Sequence, residues 1–490
     1  MKGPSRNGGR RSEVGGRKFD VRRSAFEVRR SQKISARASI LVGLLWCVAL
    51  LSLVVVGVLH TSRIDLMAVK NYGDRIQAHY LAVAGVEKAK ALLYQNAHDR
   101  SRSAKNHSGE LYNAPDQFRD VSFGRGKFRV FRRGRQDEGG GVIYGITDEE
   151  RRLNVNYATT DQLTNLSRMT TEIAASIVDW RGNGSAVTPG GANADYYLSL
   201  QPPYQPRHGP VQTVRELLLV RGVTRDLLFG NDKHQNGMLP AAGDGEEDSL
   251  DAASASDTDA GWAGVFTVAS TEKNVNAAGQ DRVNVQTADE SVLTGVKGIT
   301  SAMARAIVSY RGQNRFQSIA DLLDVTASQN QSSGSNPNSG QGNASQTQNS
   351  SGSSAASSGA KIISQDLLLQ IADDITTADG QDSPGLININ TAGLDVLACL
   401  PGVDRQLAQT IISHRQSSGF FANTAELLKV DGVTPALFKQ IAPLVSARSE
   451  TFRILSEGRV TSTGARQRIQ EIVHVVLNEI STLGYREDDL

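Results

Sequence analysis

"LNVNYATTDQLTNL", residues 153–166, is written twice more in this chain, as "VNVQTADESVLTGV" at 283–296 and "ININTAGLDVLACL" at 387–400. Each copy opens on a strand-like N-x-[NQ] phrase: Asn154 and Asn156, Asn284 and Gln286, Asn388 and Asn390. Each then reads as a helix, a short turn and a second helix. In the third copy Thr391 is the expected helix cap, "PGV" turns the chain, and "DRQLAQTIISHRQ" forms the next helix. Leu394, Leu397, Leu400, Leu407, Ile411 and Ile412 recur at helical spacing and predict a buried seam. A further phrase follows each second helix: "QTVRELLLVRGVTRDLL" from Gln212, "QSIADLLDV" from Gln317 and "ANTAELLKVDGVTPALF" from Ala422. The repeat is therefore a small all-helical module, about 70 residues long in the first and third copies, rather than a solenoid of short units.

The unit resembles the helix-hairpin-helix of DNA-repair proteins and competence DNA receptors. In that family a glycine–apolar–glycine turn lets backbone amides approach a phosphate, and the second helix adds its dipole. Here the turns read Arg168-Met169-Thr170, Gly298-Ile299-Thr300 and Gly402-Val403-Asp404. No copy keeps both glycines, and Asp404 puts a carboxylate where a phosphate would dock. Basic residues are sparse: Arg305 and Arg311 in the second copy, Arg405, His414 and Arg415 in the third. A DNA interface needs several phosphate contacts at working salt. The modules are expected to be structural or protein-interaction hairpins without a nucleic-acid partner. A membrane-anchored DNA-uptake receptor is the alternative.

With 490 residues the chain has room for about three domains. A formal net charge of +2 argues against a polyanion partner across the whole surface. The charge is uneven: residues 1–38 are basic, a Gly/Ser-rich arm without apolar periodicity, expected to be disordered. Directly after it, "ILVGLLWCVALLSLVVVGVL", from Ile40 past Trp46 to Leu59, carries no charge and is long enough to span a bilayer core of about 30 Å. The basic flank places the N-terminus in the cytoplasm and everything after Leu59 on the exported side. Ile64, Val69, Tyr72, Ile76, Tyr80, Val83, Val86, Leu92 and Leu93 continue the helical spacing, which predicts one helix of about 55 residues. Gly73 and Gly85 weaken it by about 1 kcal/mol each. Cys47 and Cys399 lie far apart, so no disulfide is expected.

A long N-terminal helix, half membrane and half amphipathic, resembles the type IV pilin and pseudopilin family. That resemblance implies a prepilin peptidase cut just before the apolar run. The best register puts Ala38 before the cut, where glycine is usual, and Ser39 first in the mature chain. The fifth mature position, usually glutamate, is Gly43. A subunit without that carboxylate fits a filament tip. "YGITDEERRLNVN" (144–156), "IVDWRGNG", "TPGGANADYY", "VQTVRELLLVRGVT" and the return phrase "FTVASTEKNVN" further resemble the minor pseudopilin protein K of type II secretion systems. This implies a non-enzymatic subunit of a secretion pseudopilus in the inner membrane, single-pass, with its bulk periplasmic. Its implied partners are the other minor pseudopilins, the major pseudopilin, the prepilin peptidase and the inner-membrane platform, with the outer-membrane channel or cargo as further contacts. That family commonly has two N-x-N phrases; this chain has three.

The expected fold class is α+β: a long transmembrane and amphipathic helix packed on a small antiparallel pilin-like sheet, with inserted all-α helix-hairpin-helix-like modules. "FGRGKFRVFRRG" with "GGVIYGI", and "TFRILSEGRV" with "RQRIQEIVHVVL", supply the strands. The expected organisation is a leader over 1–38, the helix over 39–95, pilin-like strands over 96–152, a first module over 153–235 and an acidic loop over 236–262. A return strand with the second module follows over 263–327. Then come a disordered polar linker over 328–360, a third module over 361–447, and C-terminal strands and a tail over 448–490. The sequence holds no G-x-S-x-G, P-loop lysine motif or C-x-x-C, and no enzyme is expected. No metal or cofactor is expected either; Asp257 and Asp259 fit the opening of a calcium loop, but its closing Glu is missing. Asp148, Glu149 and Glu150 read as a helix cap or a solvated turn.

Overall fold

The computed structural model describes residues 35–105, 109–184, 187–232, 257–326, 361–477 and 479–489. The leader before Ser35, the polar linker and most of the acidic loop lie outside these residues. The chain divides into two units, Met1–Lys70 and Asn71–Leu490.

In the first unit the described residues are the opening of one helix, α1 (Ser35–Ser103). Its large apolar side chains, Ile40, Trp46 and Leu59 among them, are exposed. The most apolar window has a mean hydropathy of 2.8, and none of it is buried. The helix is long and apolar enough to cross a membrane. Ala38, Ser39 and Gly43 all fall within it.

In the second unit, α1 turns amphipathic. Ala78, Ala82, Val86, Ala89, Leu93 and Ala97 make a buried stripe that repeats every three or four residues. The helix was expected to end near residue 95. It reaches Ser103 because Ala97 continues the stripe and the Ser101 hydroxyl donates to the Ala278 carbonyl at 2.9 Å. Under the stripe lies an antiparallel sheet of six strands: β1 (Val121–Phe123), β2 (Gly126–Val130), β3 (Thr147–Asp148), β4 (Thr451–Val460), β5 (Arg466–Val476) and β6 (Glu479–Asp489). The order is β1-β2-β4-β5-β6, with β3 pairing the start of β4. β6 is a full strand where a tail was expected; its charged residues disguise it, and ten of its positions pair with β5. Gly458 lets β4 touch α1: a Cβ there would press into the backbone of Ala78 and Ala82. Gly85 serves the same contact from the helix side, against Ser456 and Phe128, so it is a packing residue as much as a weak point in the helix.

The helical modules are inserted between β3 and β4. A two-residue parallel ladder joins the opening phrase of each module to its end: Leu153–Asn154 with Phe266–Thr267, Val283–Asn284 with Ile375–Thr376, and Ile387–Asn388 with Val445–Ser446. Two expectations change here. The return phrase at Phe266 closes the first module instead of entering the main sheet. Residues 327–360 do not separate the second module from the third. Thr326 and Lys361 pair in a bridge within the second module, and the helix Gln365–Ile371 and strand Ile375–Thr376 that follow complete it. That helix is the counterpart of Pro435–Ile441 in the third module. The second module enters and leaves through an antiparallel stem, Thr271–Lys273 with Asp382–Pro384. The second and third modules are fastened by Gln365 to the Leu428 carbonyl (3.2 Å), Asn423 to the Leu369 carbonyl (2.9 Å), and Lys439 to Asp324. The buried apolar residues of all three modules form one continuous core.

Candidate interaction modules and their junction with the sheet

The N-x-[NQ] phrases are latches. The first residue's side-chain Oδ1 accepts the backbone N–H two positions on: Asn154 from Asn156 (3.0 Å), Asn284 from Gln286 (2.8 Å) and Asn388 from Asn390 (2.9 Å). Its amide group then reaches the end of the module, to Ser270, Asp379 and Ser449 respectively. Each of those partners sits three residues after the closing Thr267, Thr376 or Ser446. The second residue fastens the stretch after the second helix. Asn156 pairs both ways with the Val211 backbone, and Asn390 does so with Phe421. Gln286 accepts from Phe316 N–H at 2.9 Å. A side-chain amide can satisfy a donor and an acceptor at once, which a buried non-helical backbone requires.

The hairpin turns are spent internally. Gly298 (φ 102°) and Gly402 (φ 73°) take the left-handed conformation, and Arg168 takes it in the first copy at φ 64° despite its side chain. The next position but one caps the second helix with its own oxygen. Thr170 accepts from Ile173 N–H (3.3 Å), Thr300 from Met303 N–H (3.4 Å) and Asp404 from Leu407 N–H (2.7 Å). Each cap therefore engages one amide in the first turn of the second helix. The second helices' arginines also turn inward. Arg181 donates to the Val155 and Ala158 carbonyls, Arg311 to Val285 and Ala288, and Arg415 to Ile389 at 2.8 Å. Arg305 pairs with Glu290 at 2.9 Å, and Arg405 with Asp395 at 2.9 Å. Thr391 is not the expected cap. Gly393 precedes the helix Leu394–Leu397, and the Thr391 hydroxyl donates to the Asp148 carboxylate. Of the expected seam, Leu397, Leu400, Ile411 and Ile412 are fully enclosed, and Leu394 and Leu407 are half-buried.

Asp148, Glu149 and Glu150 form no solvated turn. All three are buried at the junction between sheet and modules. Glu149 meets Arg453 at 2.6 Å and accepts from the Thr267 hydroxyl at 2.6 Å. Burial would raise its carboxyl, but Arg453 and Arg152 hold it below the ordinary range. Glu150 accepts the N–H groups of Glu450 and Thr451, and its own carbonyl accepts from Asn388 N–H at 2.8 Å. Glu272 pairs with Arg448 at 2.5 Å. Buried charges survive when paired and hydrogen-bonded, and here the pairing ties the sheet to the first and third modules. Sequence reading missed this junction because a run of acids and arginines looks like surface. Burial pushes the Cys399 thiol up to about 12, so it packs as an inert core group. Among the described residues no group of three His, Cys, Asp or Glu side chains is arranged to hold a metal ion. Nothing is described of the Asp257 and Asp259 side chains.

Residues 148–229, from β3 through the first module, match the sequence model of type II secretion system protein K. The chain carries a protein K domain. Residues 278–327 and 383–446 match the helix-hairpin-helix motif, so the second and third modules carry that unit beside it. The first of these matches stops where the polar insert begins.

Among curated proteins, the chain is similar to endonuclease/exonuclease/phosphatase family domain-containing protein 1. It is 29% identical to the mouse protein over 186 residues, 38% of this chain and 31% of that one. It is 29% identical to the human protein over the same length and coverage. The frog (Xenopus laevis) protein is 29% identical over 164 residues, 33% of this chain and 26% of that one. The chain thus spans about a third of the length of these relatives. Among solved structures, a chain of the GspK-GspI-GspJ complex from the enterotoxigenic Escherichia coli type 2 secretion system is 12% identical at a TM-score of 0.40. That likeness covers 84% of this chain and 98% of the other.

Proposed function

We propose that this chain is a minor pseudopilin of type II secretion, a structural subunit with no catalytic role. In this reading α1 anchors it in the inner membrane, its N-terminus is cytoplasmic and its modules are periplasmic. One observation carries the reading. The protein K match begins on β3, in a pilin-like sheet packed under an apolar N-terminal helix, and runs into the inserted module. Tyr72, Ile76 and Tyr80 also lie on one side of α1 at four-residue spacing and remain uncovered, as a helix that packs among other helices requires.

The partners in this reading are other minor pseudopilins and the major pseudopilin. The prepilin peptidase cuts between Ala38 and Ser39 and delivers the chain to the inner-membrane platform, and the modules face the outer-membrane channel or cargo. Gly43 offers no carboxylate to a subunit above, and modules of this bulk crowd a filament shaft, so the subunit belongs at the tip. The helix-hairpin-helix match favours DNA binding on sequence alone. The self-capped turns and inward arginines oppose it.

The test is purification of the tagged full-length chain from its own membranes in mild detergent, with co-purifying proteins identified by mass. Pilin-type subunits with N-terminal apolar helices are the expected companions. Recovery of the chain alone, or salt-sensitive binding of the preparation to duplex DNA, would overturn the reading.

A further inference from the structure

Four carboxyl groups, Asp148, Glu150, Glu272 and Glu450, are each 1% exposed where α1, the sheet and the modules meet. Two of them face guanidinium groups: Glu272 lies 2.5 Å from Arg448 and 3.7 Å from Arg282, and Glu450 lies 3.6 Å from Arg100. Asp148 and Glu150 are held by neutral donors. Asp148 accepts from Glu150 N–H (2.8 Å), Asn388 Nδ2 (2.9 Å) and the Thr391 hydroxyl. Glu150 accepts from Glu450 N–H (3.1 Å) and Thr451 N–H (3.2 Å). These bonds fasten both the entry of the third module and its exit to the edge of the sheet.

We propose that Asp148 and Glu150 act together as a pH-sensitive clasp joining the sheet to the third module. Burial first, and the neighbouring Asp148 charge second, push Glu150 well above the ordinary carboxylate range, and burial raises Asp148. The surrounding groups come from every packed element. Tyr112 and Arg132 face the pair from the strand side, and Glu149, Arg151 and Arg453 flank it. Glu272 lies on the stem, and Arg282 and Asp373 belong to the second module. Arg448 and Glu450 lie at the exit, His474 is on β5 and Arg100 on α1. A cavity of about 240 Å³, whose lining includes Arg132, Glu138, Asp148, Thr391 and Arg415, reaches the Asp148 side of the pair.

The sign follows from linkage. A carboxyl whose folded pKa is raised binds more protons folded than unfolded. Its stabilisation is complete below the ordinary carboxylate range and is lost as pH rises through the folded value. Above that point two adjacent buried anions repel, and the third module's entry parts from the sheet. His474 acts oppositely: burial lowers it, so its share is lost as pH falls. Comparing variants with the parent chain cancels that contribution.

The experiment melts the full-length chain in detergent micelles from about pH 5 to about pH 9, beside Glu150→Gln and Asp148→Asn. The amides carry no charge at any pH. The parent chain is expected to lose on the order of a few °C of Tm towards the alkaline end. Either variant should flatten that slope and melt above the parent there. If both variants keep the parental slope, or melt below the parent throughout or fail to fold, the clasp does not exist.

Discussion

Asn390→Ala is expected to destabilise the chain by about 3–5 kcal/mol. The Asn390 amide group donates to the carbonyls of Phe421 (3.0 Å) and Ala447 (2.7 Å), and its oxygen accepts from Phe421 N–H at 2.8 Å. Alanine would leave all three backbone groups buried without a partner, and each such loss costs about 1–3 kcal/mol. The same position in the second module gives a built-in comparison. Gln286 is half-buried and accepts from Phe316 N–H, so Gln286→Ala should cost about 1 kcal/mol. Denaturant titration of both variants by intrinsic fluorescence checks the order. Equal small losses would show that the phrase is a sequence habit with little mechanical weight.

Glu457→Ala is expected to cost a similar amount, about 3–5 kcal/mol, in the sheet instead of the modules. Glu457 is 1% exposed on β4 and bridges Arg129 at 2.5 Å and Arg468 at 2.6 Å. Both guanidinium groups also lie against the Phe131 ring, at 5.5 and 5.7 Å. Removing the carboxylate leaves two cations facing one another with little water to screen them. Arg305→Ala breaks an ion pair whose two side chains are 73% and 43% exposed, and it should cost less than about 1 kcal/mol. The Tm values of the two variants, measured side by side, separate these cases. A Glu457→Ala loss no larger than that of Arg305→Ala would contradict the buried bridge.

The features that sequence made legible are local ones. The apolar run from Ile40, the alternating strands of the β4–β5 hairpin and the three N-x-[NQ] phrases each reveal themselves within a short window. What stayed hidden depends on partners far away in the chain. The helix Gln365–Ile371 belongs to the second module, but 34 residues of sequence stand between Thr326 and Lys361, where that module resumes. Its kinship with Pro435–Ile441 could have been found by aligning Leu368 and Ile371 with Phe438 and Ile441, all four buried. Asp148, Glu149 and Glu150 read as solvent-facing because their counterparts, Arg453, Asn388 and Thr451, lie some 240 to 300 residues later. Thr391 read as a cap for the same reason: its bond to Asp148 is invisible in its own neighbourhood. β6 was concealed by four charged residues at its end, where edge strands commonly carry charge against unwanted pairing.

The central claim, that this chain enters a pseudopilus through α1, meets its most direct test at the mature N-terminus. Mass measurement of the protein recovered from its native membrane should show residues 1–38 removed and a methylated Ser39 at the new terminus. An intact leader on the membrane-embedded protein would make α1 a plain anchor and contradict the account.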